Sequence, residues 1–410
     1  MSQSPELPPE SMAPVPVPVL KLRHGEDRRL RAGHLWVFSN EVDVEATPLT
    51  AFESGAQVQV HSARDQFLGY AYVNPHALIC ARLLSRSPSS PLDDSLLEHR
   101  LKQAQQLRQN LDAEPFHRLV YGESDGLPGL VLDRYGDVLV GQIATAGMDV
   151  LRPRLEAAIA AVLRPQTLIW RNNSSARDLE QLPKDVRVAL GALPEELSVR
   201  ECGLQYRVPF ASAQKTGWFY DQSANRAQWM RFIRPGMRVL DACSYAGAWA
   251  ISALAAGARE AVCIDSSETA LQCAQRNAVL NGRTLGLHHG DVFDALDELQ
   301  RRGERFDAVV LDPPAFIKRR KDLPRGQAAY RKLNQLAMRL LDRDALLVSC
   351  SCSYHLPPEE LLRLIQAAAR TAGRFAQVLA VGGQSPDHPL HPAIPETRYL
   401  KAFFCRVTRE

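Results

Sequence analysis

From Arg238 onward, short apolar runs alternate with stretches of helical spacing. Val239–Leu240, Ala261–Ile264, the stretch around Leu285–His288, Phe306–Leu311 and Leu346–Ser349 each have the length and density of a strand buried on both faces. Between them, 248–256 and 358–370 carry helical periodicity. The first closes at Gly257, where a left-handed C-terminal glycine belongs, and the second opens on Glu359 and Glu360 as the helix dipole prefers. Strand alternating with helix predicts a parallel sheet with right-handed crossovers, hence an α/β fold.

The N-terminal half is patterned differently. Residues 1–18 hold six prolines and no apolar periodicity, which predicts a disordered leader. From Val19, basic residues (Lys21, Arg23, Arg28, Arg29, Arg31) surround His24 and precede the apolar anchor Leu35–Phe38. Alternating runs at Gln57–Val60 and Phe67–Tyr72 predict a small β-rich barrel over 19–92. Helical spacing over 93–111 predicts a linker helix. A hairpin (Leu130–Leu132, turn at 135–137, Val138–Ile143), a helix from Val150 to Leu163 and strands Thr167–Trp170 and Leu204–Val208 predict a central α+β unit over 93–210. In it Asp125 and Asp133 read as turn formers. The remainder, 211–410, is the α/β unit.

Four consecutive strands of that unit run into acid: Asp241, Asp265, Asp291 and Asp312. The first opens a small-residue turn through Ser244 to Gly247 at a helix N-terminus, the ligand crevice of an open α/β sheet. Asp265 lies 24 residues beyond Asp241, about where a carboxylate accepts hydrogen bonds from a ribose. Helix capping alone would account for one such aspartate, but less readily for this set. So many carboxylates would repel a pyrophosphate, and the turn lacks the G-x-G-x-x-G spacing of a dinucleotide site, which argues against a nicotinamide-dependent dehydrogenase. A cationic nucleoside without phosphate, S-adenosylmethionine, fits.

Composition narrows little else. The net charge of +3 is too small to argue nucleic-acid binding by itself, so its distribution must carry that claim. Eight cysteines lack paired C-x-x-C spacing, which predicts neither disulfides nor a metal site. No apolar run approaches the ~20 residues that span a bilayer, and no secretory leader is evident, so a cytoplasmic protein is expected.

The turn motif D-x-C-S-Y-x-G resembles that of class I methyltransferases, whose sheet closes with an antiparallel pair, here expected at Phe375–Val381 and Lys401–Val407. LDPPAF at 311–316, VSCSCSYH at 348–355, QKTGWFYDQSANR at 214–226 and HPLHPAIPETRYLKAFFCRV at 388–407 together resemble the RlmI (YccW)-like family of 23S rRNA cytosine-5 methyltransferases. LRAGHLWVFSNEV and FLGYAYVNP resemble a PUA domain, a small RNA-binding fold. The likeness runs from about residue 19 to the end. It implies an S-adenosylmethionine cofactor, an rRNA substrate and placement of Lys215, Asp221 and Gln222 over the methionine end of the cofactor, with Lys215 pairing its carboxylate. A homodimer stays open.

Methylating carbon 5 of a cytosine requires activation, and a thiolate adding to carbon 6 supplies it. Cys350 and Cys352 lie at the end of the fifth strand, two apart and so on one side if the strand continues. Comparison with the T-C-S form of RNA cytosine-5 enzymes favours Cys352, and with the S-C-N form of uracil-5 enzymes Cys350. Asp312, if protonated, could donate to ring nitrogen 3. Ala315 stands where many relatives carry a second cysteine, and His355 is a candidate for removing the carbon 5 proton. Residues 318–332 hold seven basic side chains against one acidic, suited to phosphates flanking a flipped-out base. The rivals are methylation of another RNA base, at uracil carbon 5 or at an exocyclic amine, for which D-P-P motifs also serve, and a non-catalytic RNA-binding assembly factor.

Overall fold

The computed structural model describes residues 17–111 and 114–409, so the expected leader lies outside the described residues except for its last two. Near the N-terminus five short strands form one sheet in the order Val19–Lys21, Gln57–His61, Phe67–Val73, Ile79–Ser85, Trp36–Phe38. Alternation along Gln57–His61 sends Val58 and Val60 into a core with Leu20, Leu22 and Val37. The basic cluster around it is largely neutralised from within. Lys21 pairs with Asp65 (2.8 Å), Arg29 with Glu41 (2.5 Å) and Arg31 with Asp27 (2.5 Å), while among the described residues Arg23 and Arg28 form no ion pair.

A second five-stranded sheet follows, ordered Asp185–Leu190, Thr167–Asn172, Val138–Ile143, Leu130–Tyr135, Phe116–Tyr121. The helices Asp94–Leu111 and Arg152–Leu163 bury Leu97, Leu101, Leu155 and Ile159 in its core. Asp125 and Asp133 do more than shape turns. Asp125 takes both guanidinium nitrogens of Arg108 at 2.5 and 2.8 Å, and fully buried Asp133 takes Arg118 at 2.5 and 3.0 Å. Burying a carboxylate requires such a partner, and both partners lie in the linker helix or first strand.

The segment Leu204–Pro209, expected to complete that sheet, instead pairs with Glu196–Glu201 as a separate two-stranded ribbon. The ribbon docks on the helix Glu268–Leu280: Asn277 Oδ1 accepts from the Arg207 amide at 2.8 Å and Asn281 Oδ1 from Gln205 at 3.0 Å. Two asparagines thereby satisfy an otherwise open ribbon edge.

The C-terminal sheet has seven strands: β1 Arg238–Ala242, β2 Glu260–Asp265, β3 Gly286–His289, β4 Phe306–Leu311, β5 Leu341–Ser351, β6 Arg374–Gly383 and β7 Lys401–Arg409, in the order β3-β2-β1-β4-β5-β7-β6. β1 to β5 are parallel, and β7 runs antiparallel between β5 and β6. Helices cover both faces over two apolar cores, one holding Leu240, Val309 and Leu347, the other Val239, Val310 and Val348. Strand order reverses between β1 and β4, and the carboxyl ends there form the crevice that an open α/β sheet offers a ligand. No helix among the described residues is long and apolar enough to cross a membrane.

Candidate active site

A cavity of about 490 Å³ opens at that switch point, within the usual range for a small-molecule site. Its floor is the turn after β1. Cys243 (φ +66°), Tyr245 (φ +48°) and Gly247 (φ +79°) all adopt left-handed backbone within five residues. For residues with a Cβ this costs on the order of 1–2 kcal/mol each, strain that concentrates at functional sites. At Gly247 the strain argument joins a steric one, since a Cβ there would stand 2.8 Å from the Ala274 Cβ. The helix α1, Ala248–Ala255, starts directly afterwards and aims its free N–H groups at the cavity edge.

The turn is held by acids. Asp241, fully buried behind the wall, accepts from the Ala250 amide at 3.1 Å through Oδ2, while its Oδ1 has no partner. Burial, with Asp312 and Asp265 close by, pushes its pKa up to about 8. Asp265 accepts from the Tyr245 amide and the Ser267 amide, each at 2.9 Å. It is Ser267 that caps the following helix, α2 (Glu268–Leu280). Asp291 does cap its helix, α3 (Val292–Arg301), taking the Phe293 and Asp294 amides on Oδ1 and leaving Oδ2 without a protein partner. Asp265 and Asp291 nevertheless both line the cavity, so capping orients these carboxylates without withdrawing them from it.

On the opposite wall Asp312 accepts from Gln222 Nε2 at 2.8 Å and Trp249 Nε1 at 3.1 Å. Burial raises its pKa to about 6, against the two donors. Gln222 is itself oriented by Asn225, whose Nδ2 donates to Gln222 Oε1 (2.6 Å) and to the Gly383 carbonyl (2.8 Å). Asp221 accepts from the Tyr399 hydroxyl at 2.5 Å, and its buried Oδ1 has no partner. Burial would raise this carboxyl, but His388, Lys215, Tyr399 and Arg118 together hold it below the usual range. Arg226 fixes the whole 214–226 segment to the ribbon, donating to Glu201 at 2.5 and 2.6 Å and to the Phe219 carbonyl at 2.9 Å.

The two candidate cysteines differ in their access to the cavity. β5 ends at Ser351; Cys350 is fully buried within the sheet, whereas Cys352 lies beyond the strand end and lines the cavity with Lys215, Asp312 and Tyr399. Burial raises the pKa of both thiols; at Cys352 the cations Lys215 and Lys401 oppose the rise, while Asp312 and Asp221 add to it. Lys401 opens β7 opposite Ser351 and donates to the Ser353 carbonyl at 2.5 Å and the Tyr399 carbonyl at 2.8 Å. Its own burial lowers its pKa to about 8.

Of the residues expected from sequence, Lys215, Asp221, Gln222, Ser244, Asp265, Asp291, Asp312 and Cys352 line one cavity; Asp241, Gly247 and Cys350 stand behind it, and His355 is outside. Trp249, Asn225, Tyr399 and Lys401 were not anticipated. Tyr399 and Lys401 sit inside the motif at 388–407, which was the available signal. Among the described residues no cluster of His, Cys, Asp and Glu is arranged to hold a metal.

An acid-rimmed cavity at the switch point of a seven-stranded sheet, floored by a tight turn closing at Gly247, fits a cationic nucleoside. It defines an S-adenosylmethionine-dependent methyltransferase, and a family model of that description matches residues 185–405, preceded by a PUA-like domain at 20–86. The 185 start takes in the ribbon as well as the sheet. The chain belongs, more narrowly, to the ribosomal RNA large subunit methyltransferase I family. It is 34% identical over 399 residues to the protein of that name from Cronobacter sakazakii and 35% identical over 400 residues to that from Vibrio cholerae, covering 95% of this chain and 99% of each relative. In fold it is similar to SMU.776, solved in complex with SAH (TM-score 0.80, 20% identity, 95% of this chain and 100% of that one).

Proposed function

We propose that the protein methylates carbon 5 of a cytosine in large-subunit rRNA in the cytoplasm, with Cys352 as nucleophile. The observation that carries this reading is that Cys352 shares one cavity with Asp312 and with the acids suited to the cofactor. Asp265 and Asp291 would hold the ribose and adenine side, and Lys215, Asp221 and Gln222 the methionine side. When bound there, S-adenosylmethionine supplies an electrophilic methyl group.

The chain's own residues do the rest. The Cys352 thiolate adds to carbon 6 of the ring, forming an S–C bond and moving the ring's electron pair to carbon 5, the atom that takes the methyl. Asp312, with its pKa near 6, carries a proton in part of the population at neutral pH and donates it toward ring nitrogen 3 as negative charge develops. After methyl transfer the carbon 5 proton leaves to a base, the electron pair returns to the ring, and the sulfur is expelled as thiolate. With Ala315 in place of a second cysteine, one thiol serves the whole cycle.

The test is nucleoside analysis of unmodified large-subunit rRNA after incubation with labelled S-adenosylmethionine. Label in 5-methylcytidine supports the reading. Label in a methylated exocyclic amine, or none despite tight RNA binding, would replace it with a rival.

A further inference from the structure

Away from the active site, a second cavity of about 420 Å³ lies where the N-terminal sheet, the helix Asp94–Leu111 and the 122–126 turn meet. Arg86 and Arg100 both line it, and among the described residues neither forms an ion pair. Arg86 Nη2 donates to the His34 carbonyl at 2.7 Å. Arg100 reaches only the Leu84 carbonyl and Gln103 Oε1, both at 3.4 Å, while its buried Nε has no partner. The Ser124 hydroxyl in the same wall is also buried and unpartnered.

The two carboxylates nearby do not neutralise these cations. Asp125 is taken by Arg108 and the Tyr121 amide, and Glu123 by Trp36 Nε1 and Arg82. Burial lowers the pKa of both guanidinium groups. His391 completes the wall, its Nδ1 accepting from the Ala393 amide. Arg86 stands at the exposed mouth, but Arg100 is partly withdrawn from water with a buried unpaired Nε, which is costly unless an anion completes the site.

We propose that this cavity binds a phosphodiester group of the RNA substrate through Arg86 and Arg100. The inference rests on RNA being the substrate, not on which base is methylated. Guanidinium forks match phosphate oxygens in geometry as well as charge. The segment between β6 and β7 walls this cavity through His391 and the active site through Tyr399. It is braced internally, with the His391 amide donating to Thr397 Oγ1 at 3.0 Å and the Tyr399 amide to Gln384 Oε1 at 3.2 Å. A strand held at the second cavity is thereby registered against the first.

The experiment is fluorescence-anisotropy titration of the full chain with a labelled rRNA fragment across a chloride series, without methyl transfer, so that a wrong target base leaves the result untouched. Arg86→Gln/Arg100→Gln should weaken binding and make the slope of log K against log salt shallower by about 0.7, the value for one phosphate neutralised on a single strand. Arg86→Lys/Arg100→Lys should keep most of the slope. If the double variant fails to fold, Arg86→Gln, at the exposed mouth, should still make the slope shallower, by up to about 0.7. An unchanged slope in a folded variant overturns the proposal. So does thermal protection by inorganic phosphate that Arg86→Gln abolishes without altering RNA binding, which would assign the cavity to a free anion.

Discussion

Gln222 Nε2 donates to Asp312 Oδ1 at 2.8 Å, joining the segment before the catalytic sheet to the acid at the end of β4. The bond extends backward through Asn225 to the Gly383 carbonyl of β6, so the orientation of one carboxylate depends on three separated stretches of chain. Trp249 fixes its other oxygen.

Asp312→Asn removes the proton donor while keeping the shape, and should lower kcat roughly 10²–10⁴-fold. Asn225→Ala leaves Asp312 in place but frees Gln222 to rotate. It should cost up to about 10²-fold in kcat, the scale of a small misplacement of reacting groups. Steady-state kinetics check both, with the KM for S-adenosylmethionine read alongside; a loss confined to that KM would make Asn225 a cofactor-binding group instead.

Cys352→Ala should abolish turnover, on the order of 10⁴-fold or more as for other nucleophiles, with cofactor binding retained. Cys350→Ala, which trims a buried side chain in the sheet, should cost about 1 kcal/mol of stability and little activity. RNA carrying 5-fluorocytidine, whose fluorine cannot leave as a proton, should trap a covalent adduct with wild type and with Cys350→Ala but not with Cys352→Ala. An adduct only through Cys350 would reassign the nucleophile.

Most of the catalytic half was legible because buried parallel strands announce themselves as unbroken apolar runs, and their ends carried the acids. The ribbon was less legible. Glu196–Glu201 alternates in burial yet was not expected as a strand, and its partner Leu204–Pro209 was assigned to the central unit, because what docks the ribbon is Asn277 and Asn281 some 70 residues on. The pairing of charges was no more legible. Lys21, Arg29 and Arg31 form a basic cluster by sequence, yet Asp65, Glu41 and Asp27 neutralise them in the fold. Side-chain partners across long sequence separations leave no local pattern, which also hid Lys401 beside Cys352.

Asp241 makes the stability of the cofactor-free protein depend on pH. Its pKa rises from 3.8 to about 8 on folding, so the folded chain holds a proton that the unfolded chain has released. The contribution is fully present below 3.8 and is lost progressively as pH rises toward 8, stability falling because the native state binds more protons. Asp312 adds a similar loss ending near 6. Thermal melting between pH 4 and 8 should therefore show a downward trend that is shallower in Asp241→Asn. Parallel curves for the two proteins would assign the trend to other groups.

Lys401 is a positioning residue in this scheme. Lys401→Met removes a cation that opposes the burial-driven rise of the Cys352 pKa and leaves the Ser353 and Tyr399 carbonyls unpaired. The rising limb of the pH profile of kcat/KM should move to higher pH, and stability should fall by about 2 kcal/mol. Lys401→Arg should restore much of the profile. A stability loss with an unmoved limb would leave Lys401 a purely structural clamp.

The run at 318–332 differs from the N-terminal cluster in having its charge available. Lys318, Arg319, Arg320 and Lys321 are exposed and among the described residues none forms an ion pair, and the run follows directly on Phe316 and Ile317, the first of which lines the cavity. Unpaired cations at the mouth of an active site suit the phosphates on either side of an extruded base. Lys318→Gln/Arg319→Gln/Arg320→Gln should weaken rRNA binding and make its salt slope shallower by about 2, close to 0.7 for each charge removed. By contrast, Lys21→Gln/Arg29→Gln/Arg31→Gln should change the slope far less, because those charges are already spent on acids within the fold. Equal effects from the two triples would mean that RNA displaces the internal ion pairs and that the N-terminal cluster is a contact surface in its own right.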